Sequence, residues 1–268
     1  MKQSADIAKL IQMDHVAAGM IKEHINPAEL RGLLNIDKST EEFFEEVTNE
    51  QLWEQVERSP PVKIVHLDFE TRSRIDLTEV GAHRYAIDSS TEVFMAAVSS
   101  SDSDRVYLWI NPAFGGDAEK NAMPEKLLAS ADEIYAHNAP FEQAVTWGVS
   151  QRGGVLPFAR EPDLASWRCT AALARKAGLP ASLEKCGEAL NLDAKKDTRG
   201  KALIRFFSIP QADGSFNAPQ DHPEKWSQFC EYCRQDVRAE KAIHKKLKAF
   251  ELVGGPLETF KFDLRMNQ

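Results

Sequence analysis

The spacing of hydrophobic residues changes near Pro61. Before this residue, apolar side chains recur every three or four positions, which predicts helices. Ser39 and Glu42 fit the capping box with which many helices begin. We therefore predict an N-terminal helical segment over residues 1–61, and two interpretations stay open for it. It is either a small bundle packed on the main domain, which we favour, or a docking module for another protein.

Beyond Pro61 the pattern becomes that of strands and later of helices. Short apolar runs predict strands at 62–67, 93–98, 106–109 and 133–135. Helical spacing predicts helices at 123–131, from Pro140 onward, and at 170–176, 182–190, 201–207 and 224–250. Early strands followed by helices favour an α/β fold with a mixed sheet flanked by helices.

Composition narrows the functional classes. The 268 residues are 43% hydrophobic and 28% charged, which is typical of a soluble globular protein. No stretch approaches the ~20 uninterrupted apolar residues of a membrane span, and the N-terminus lacks the pattern of a secretion signal, so we expect a cytoplasmic location and no membrane partner. The net charge of −8 argues against a protein that coats duplex DNA by charge alone. It is compatible with a nuclease, whose active site must itself be acidic.

The first candidate motif is Asp68-Phe69-Glu70, at the end of the first predicted strand. Side chains two apart on a strand share a face, so we expect Asp68 and Glu70 to lie side by side while Phe69 enters the core. Two adjacent carboxylates repel each other, and a divalent cation commonly offsets that repulsion. A strand end that reaches solvent explains the same pattern equally well, so the motif alone leaves both explanations open.

Two further acidic motifs occur later in the chain. Tyr232 and Asp236 are four residues apart within a predicted helix, so they share one face of it. Glu142 follows a strand-to-helix junction and falls in the first helical turn, where the helix dipole favours an anion. A surface Asp beside a core Tyr, and an ordinary N-terminal acid on a helix, are the alternatives when each motif is taken singly.

Together and in this order, the three motifs resemble the DEDD superfamily of 3′-to-5′ exonucleases in its tyrosine subtype. The likeness is greatest to the proofreading exonuclease domain of phage-type family A DNA polymerases, and it runs from about Val62 to Leu252. The histidine subtype would need His at the position of Glu231. The resemblance is carried by the stretches LDFETRS, AHNAPFE, CTAALARKAGLPASLEKCGEAL, KKDTRGKALIRFF and YCRQDVRAEKAIHKKL.

The resemblance implies an RNase H-like exonuclease fold for residues 62–252 and a tail, 253–268, that is similar to the start of a polymerase region. It also implies two divalent ions, Mg²⁺ or Mn²⁺. By this resemblance Asp68, Glu70 and Asp236 bind the first ion, and Asp68 bridges to the second. Tyr232 would orient the attacking water.

Glu142 is the clearest departure, because it occupies the place where the family usually has Asp. Either its longer side chain reaches the second ion by displacing a water, or the second ion is bound more weakly.

The resemblance also implies contacts to the substrate strand. Asn138 and Phe141 would support the terminal nucleotide, and the backbone at Thr71 would lie near the 3′ hydroxyl. A basic cluster supplies candidates for contact with the phosphate backbone, and we favour that role over a purely solvated surface. The cluster consists of Lys195, Lys196, Arg199, Lys201 and Arg205, of which Lys196, Arg199 and Lys201 are the predicted substrate-binding residues. For the aromatic residues Phe206, Phe207 and Trp226 we favour core packing over stacking on bases.

Cys230 and Cys233 have CxxC spacing, and Cys169 and Cys186 are the remaining cysteines. Four thiolates can form a zinc site. The CxxC pair falls within a predicted helix, however, and its partners lack a knuckle-like spacing. We therefore favour packing of the four as small apolar side chains.

The expected function is a two-metal-ion 3′-to-5′ exonuclease that shortens single-stranded or frayed DNA 3′ ends to nucleoside 5′-monophosphates. It would proofread for a family A DNA polymerase on a separate or continuing chain, encoded by a phage or a bacterium. One alternative is a 3′-to-5′ exoribonuclease, because no residue visibly reads a 2′ hydroxyl. The other is a non-catalytic exonuclease-fold module that docks a polymerase or a primer end.

Overall fold

A computed structural model describes residues 62–192 and 200–266 of the chain. The predicted N-terminal helical segment over 1–61 and the predicted substrate contacts Lys196 and Arg199 lie outside these residues. Within them, 63–192, 200–251 and 259–266 belong to one compact unit, while 62 and 252–258 belong to a second.

A mixed sheet of five strands forms the centre of the first unit, in the order β3-β2-β1-β4-β5. The strands β1, β2 and β3 pair antiparallel, whereas β4 runs parallel to β1 and to β5. This architecture confirms the predicted α/β fold with a mixed sheet and is consistent with an RNase H-like fold. The strands are β1 (Ile64–Arg72), β2 (Glu92–Ser100), β3 (Tyr107–Ile110), β4 (Glu133–Ala136) and β5 (Trp167–Cys169).

Among the residues that the structure describes, three helices lie between strands in the chain, and the others follow the last strand. They are α1 (Leu77–Ile87), α2 (Ala118–Ala129), α3 (Ala139–Gln151), α4 (Thr170–Lys176), α5 (Leu183–Ala189), α6 (Gly200–Ser208), α7 (Pro223–Leu247) and α8 (Gly255–Met266). Short 3₁₀ turns occur at Pro112–Phe114, Leu164–Ser166, Pro219–Asp221 and Lys248–Phe250. Across the part of the chain that the structure describes, every helix is too short or too polar to cross a membrane.

Most of these elements agree with the sequence pattern, and the differences have local causes. The helix predicted at 123–131 begins earlier, as α2, because the Asp117 side chain accepts a hydrogen bond from the Lys120 N–H at 3.0 Å and caps it. Helix α1 was not predicted, because Gly81 interrupts it with a φ of 77° and breaks the helical pattern. Strand β5 was also missed, since three residues are too few to show a period.

Two clusters of buried apolar residues cover the two faces of the sheet. Val65, Leu67 and Phe69 of β1 belong to the first cluster, which includes residues of α3. The second cluster joins β2 to α6 and α7, and its rings pack closely: Phe207 and Phe229 stack with centroids 5.5 Å apart. Phe207 is fully buried there, with Phe206 and Trp226 packed against the cluster, so the predicted core role of these aromatic residues is confirmed.

Candidate metal centre

Asp68 and Glu70 lie on the face of β1 that is turned towards α7. Their pairing partners on β2 are Ala97 and Met95, both members of the second apolar cluster. Phe69, between them, belongs to the cluster on the other face. The predicted side-by-side placement of the two carboxyl groups is therefore confirmed, and Glu70 is buried rather than directed into solvent.

Cys233 of α7 lies beside this pair. Its Sγ is 3.8 Å from Oδ2 of Asp68 and 3.8 Å from the Asp68 carbonyl oxygen. One potential ligand atom each from Asp68, Glu70 and Cys233 lies within 4.8 Å of the others. Burial raises the pKa of the Cys233 thiol, and the charges of Asp68 and its acidic neighbours raise it further, so the thiol is protonated when no cation is bound.

The sequence motifs did not indicate that Cys233 belongs to this site. Its position in the sequence could have indicated this. Cys233 is three residues before Asp236, and residues three apart lie on the same side of a helix. Within residues 62–192 and 200–266, the group of Asp68, Glu70 and Cys233 is the one set of three or more close potential metal ligands, and it contains one cysteine, so the four cysteines do not come together as a ligand set there. All four are free and buried, as their favoured packing role predicted.

Four carboxyl groups share one electrostatic environment. Burial raises the pKa of Glu70 well above its usual value, and the charges of Asp68, Asp236 and Glu142 raise it further. Neither Asp236 nor Glu142 belongs to the set that lies within 4.8 Å. The structure thus brings all four predicted carboxylates into electrostatic range, with Asp68 and Glu70 in the closest group. Such a concentration of acids favours protonation or a bound cation.

Glu142 is held in the first turn of α3, as predicted. The residue before this helix, Asn138, has a left-handed backbone with φ of 82°, and Pro140 occupies the first turn. Glu142 is 3% exposed, and its Oε2 has no hydrogen-bond partner. Burial raises the pKa of Glu142, and the charge of Asp68 adds to this effect. An unpartnered buried carboxylate oxygen is a candidate cation ligand.

Tyr232 is buried beside the carboxylates. Burial raises the pKa of its phenol, and so do the charges of Asp236 and Glu70 and a side-chain hydrogen bond to Asp236. The phenol therefore stays protonated near neutral pH and donates to the Asp236 carboxylate. This hydrogen bond confirms that the two residues share a face of α7, as their spacing predicted.

Tyr85 of α1, which no sequence motif indicated, connects two predicted substrate contacts. The hydroxyl of Tyr85 lies 3.0 Å from Oγ1 of Thr71, and its ring centroid is 6.1 Å from that of Phe141. Burial and the charge of Glu70 raise the pKa of Tyr85, with Thr71 opposing the shift by its hydrogen bond. Thr71 is buried, Phe141 is half-buried, and the predicted contacts Asn138 and Lys201 are exposed.

A second polar cluster contains Glu240, which lies one helical turn after Asp236 on α7, and His66 of β1. Nδ1 of His66 lies 2.5 Å from Oε2 of Glu240, and both side chains are buried. Oε1 of Glu240 has no hydrogen-bond partner. His66 also pairs with Ser101 through Nε2 at 3.0 Å, so both ring nitrogens of His66 have protein partners.

The chain is similar in sequence to part of a known protein. No protein-family model matches the chain. The DNA polymerase of Bacillus phage SP02 is 34% identical to it over 204 residues, which cover 74% of this chain and 29% of the polymerase. The chain thus spans less than a third of the length of that relative. Over about three quarters of its own length, this chain is similar in sequence to part of a phage DNA polymerase.

Proposed function

We propose that this chain is a metal-dependent 3′-to-5′ exonuclease that hydrolyses single-stranded or frayed DNA 3′ ends to nucleoside 5′-monophosphates. The observation that carries the proposal is the carboxyl pair of Asp68 and Glu70, whose ligand atoms lie within 4.8 Å of each other. Burial raises the pKa of Glu70, and the charges of Asp68, Asp236 and Glu142 raise it further, so four acids act on one place. Such an arrangement destabilises the fold unless cations or protons neutralise it, so a metal-binding role explains why the groups occur together.

The donor set fits Mg²⁺ or Mn²⁺, because these ions prefer carboxylate oxygens. Asp68, Glu70 and Asp236 would hold one ion, and Asp68 with Glu142 a second. The unpartnered Oε2 of Glu142 supports this assignment, because a bound cation would satisfy that oxygen. Divalent ions at such a centre lower the pKa of the attacking water and stabilise negative charge on the phosphate oxygens.

The protein's own groups orient the reactants. Tyr232 stays a neutral phenol, so it can hold a water by hydrogen bonding without ionising. The backbone at Thr71 would meet the 3′ hydroxyl, and Phe141 would support the terminal base. Asn138 and Lys201 are exposed and available to the strand, and Lys201 would contact the phosphate backbone.

Proofreading for a DNA polymerase is the proposed biological role. Its support is the similarity to the SP02 phage DNA polymerase over 74% of this chain. Because the chain covers 29% of that protein, the similarity supports a polymerase-related domain that acts beside a polymerase region on the same or another chain.

The test is degradation of a 5′-labelled DNA oligonucleotide with Mg²⁺ or Mn²⁺. We expect a ladder of shortened products, and we expect Asp68→Ala and Asp236→Ala to abolish it. Asp104→Ala, which removes an exposed acid between β2 and β3, is the matched control and should retain the ladder. An unchanged ladder in either site variant would refute the proposed centre. Retained DNA affinity without Mn²⁺ binding would instead indicate a non-catalytic module, and faster loss of a matched RNA would indicate an exoribonuclease.

A further inference from the structure

We infer that Cys233 is a direct ligand of the proposed metal centre and that its sulfur makes the centre favour Zn²⁺ and Cd²⁺, and to a lesser degree Mn²⁺, over Mg²⁺. The inference rests on the proposed function and deepens it by assigning the metal preference to one residue. The centre would then have a mixed ligand set, in which Asp68 and Glu70 supply oxygen and Cys233 supplies sulfur.

The distances suit shared coordination. Zn–S and Zn–O distances of about 2.3 Å and 2.1 Å allow two ligands of one ion to be up to about 4.4 Å apart. The 3.8 Å between Sγ of Cys233 and Oδ2 of Asp68 falls within this limit. The ligand atom of Glu70 completes a set that lies within 4.8 Å, so modest side-chain movement brings all three atoms onto one ion.

A second observation at the same place also indicates a cation. Glu142 is 97% buried, given its exposure of 3%, and its Oε2 has no hydrogen-bond partner. The charge of Asp68 acts on Glu142, so this unpartnered oxygen belongs to the surroundings of the same carboxylate. A buried carboxylate oxygen without a donor is stabilised by a cation, so positive charge is favoured in the surroundings of Asp68, the residue that Cys233 contacts.

The preference for softer ions follows from the chemistry of sulfur. Thiolate ligands select Zn²⁺ and similar ions, whereas Mg²⁺ favours oxygen ligands and retains water. On coordination, the S–H bond of Cys233 is replaced by a sulfur–metal bond, and the proton leaves to solvent. The competing explanation is that the thiol only donates a weak hydrogen bond to Asp68 and positions that carboxylate.

Ultraviolet absorption during Cd²⁺ titration of the whole chain separates these explanations, because a sulfur–Cd²⁺ bond gives a charge-transfer band and a hydrogen bond does not. We expect the band in the wild-type protein and in Cys230→Ala, and its loss in Cys233→Ser and Cys233→Ala. Cys230 is the matched control, since it is also a buried cysteine on α7 but lies outside the ligand set. A band that is absent in the wild type, or that persists in Cys233→Ala, would overturn the inference.

Calorimetric affinities provide the second measurement. Loss of a group that merely supports a metal ligand lowers affinity by about 10- to 100-fold. Loss of a direct ligand should exceed that range, so we expect Cys233→Ala to bind Cd²⁺ more than about 100-fold more weakly, while its affinity for Mg²⁺ changes much less. Cys233→Ser should likewise lose affinity for Cd²⁺ while its affinity for Mg²⁺ changes little. Equal losses for the two ions would show that Cys233 only positions Asp68. Thermal melts check that the variants fold. If Cys233→Ala or Cys233→Ser does not fold, the measurements are made on the other of these two variants.

The two proposals fail in different ways. If the oligonucleotide ladder persists in Mg²⁺ while the Cd²⁺ band is unaffected by Cys233→Ala, the exonuclease proposal stands and the sulfur ligand is excluded. If Asp68→Ala retains the ladder, the proposed exonuclease centre fails whatever the Cd²⁺ titration shows.

Discussion

Gly200 lies directly against the ring of Tyr232. A Cβ at position 200 would be 2.1 Å from Cε2 and 2.5 Å from Cδ2 of that ring, which is far inside van der Waals contact. The Tyr232 ring also lies nearly parallel to the ring of Phe229 on the same helix, α7, with the two centroids 6.3 Å apart. The first residue of α6 therefore helps to fix the phenol that donates to Asp236.

Replacement of Gly200 by alanine should displace the Tyr232 ring. A displacement of about 1 Å in a reacting group can lower a rate about 100-fold, so we expect kcat of Gly200→Ala to fall by that order. Overpacking should also lower the free energy of unfolding by about 1–3 kcal/mol. Steady-state exonuclease kinetics and urea denaturation measure the two effects.

Gly187→Ala is the matched control, because a Cβ there has no neighbouring atom within 4 Å. It should keep wild-type kcat, and as a substitution within α5 it should stabilise the fold by about 0.5–1 kcal/mol. Wild-type kcat in Gly200→Ala would show that the contact does not position the phenol.

The sequence predicted the parts of this site that depend on local periodicity. The alternation along β1 placed Asp68 and Glu70 on one face, and the helical spacing joined Tyr232 to Asp236. The approach of Cys233 to Asp68 joins residues 165 positions apart, and no local pattern encodes such a contact. Gly200 was missed for the same reason, because only the packed position of the Tyr232 ring reveals why no side chain fits there.

Glu142→Gln should stabilise the metal-free protein at high pH. The folded-state pKa of Glu142 is raised above 4.5, so the folded protein holds a proton that the unfolded chain releases. Its stability contribution is present below pH 4.5 and is lost as the pH rises towards the folded-state pKa. Glutamine carries no such proton, so the variant should be the more stable protein at about pH 8 and equal to wild type at about pH 4.

Urea denaturation of wild type and Glu142→Gln, at about pH 4 and about pH 8 with a metal chelator present, measures this difference in stability. Glu119→Gln is the control, because Glu119 is exposed in the first turn of α2. Added Mn²⁺ should stabilise wild type more than Glu142→Gln, because the variant loses a proposed ligand. A difference between the proteins that is the same at both pH values would contradict the electrostatic explanation.

Glu240 should stabilise the fold through His66. Burial raises the pKa of Glu240, but the charges of His66, His244 and His137 and the hydrogen bond from His66 outweigh it, so the net pKa is lowered. The contribution of Glu240 is therefore present above pH 4.5 and is lost as the pH falls through the lower folded-state pKa. Glu240→Ala leaves His66 without this partner and should lower the free energy of unfolding by about 3 kcal/mol at neutral pH.

Glu240→Gln retains a hydrogen-bonding side chain and serves as the comparison. It should lose less stability than Glu240→Ala, and both variants should lose the part of the acid-dependent decrease that Glu240 contributes in wild type. Denaturation curves from about pH 7 down to about pH 3 test this prediction. A loss of less than about 1 kcal/mol in Glu240→Ala would mean that the buried pair contributes little net stability.

The Tyr85 hydroxyl should affect substrate binding rather than the chemical step. It lies 3.0 Å from Oγ1 of Thr71, and the Tyr85 ring is next to Phe141, so one residue supports two proposed substrate contacts. Tyr85→Phe keeps the ring and removes a hydrogen bond worth about 1 kcal/mol, so KM for a DNA oligonucleotide should rise about fivefold while kcat changes little. Thr71→Val removes the other partner of the same bond, so the double variant should be no weaker than the weaker single variant. Additive increases in KM would show that the two side chains act independently, because a shared hydrogen bond can be lost only once.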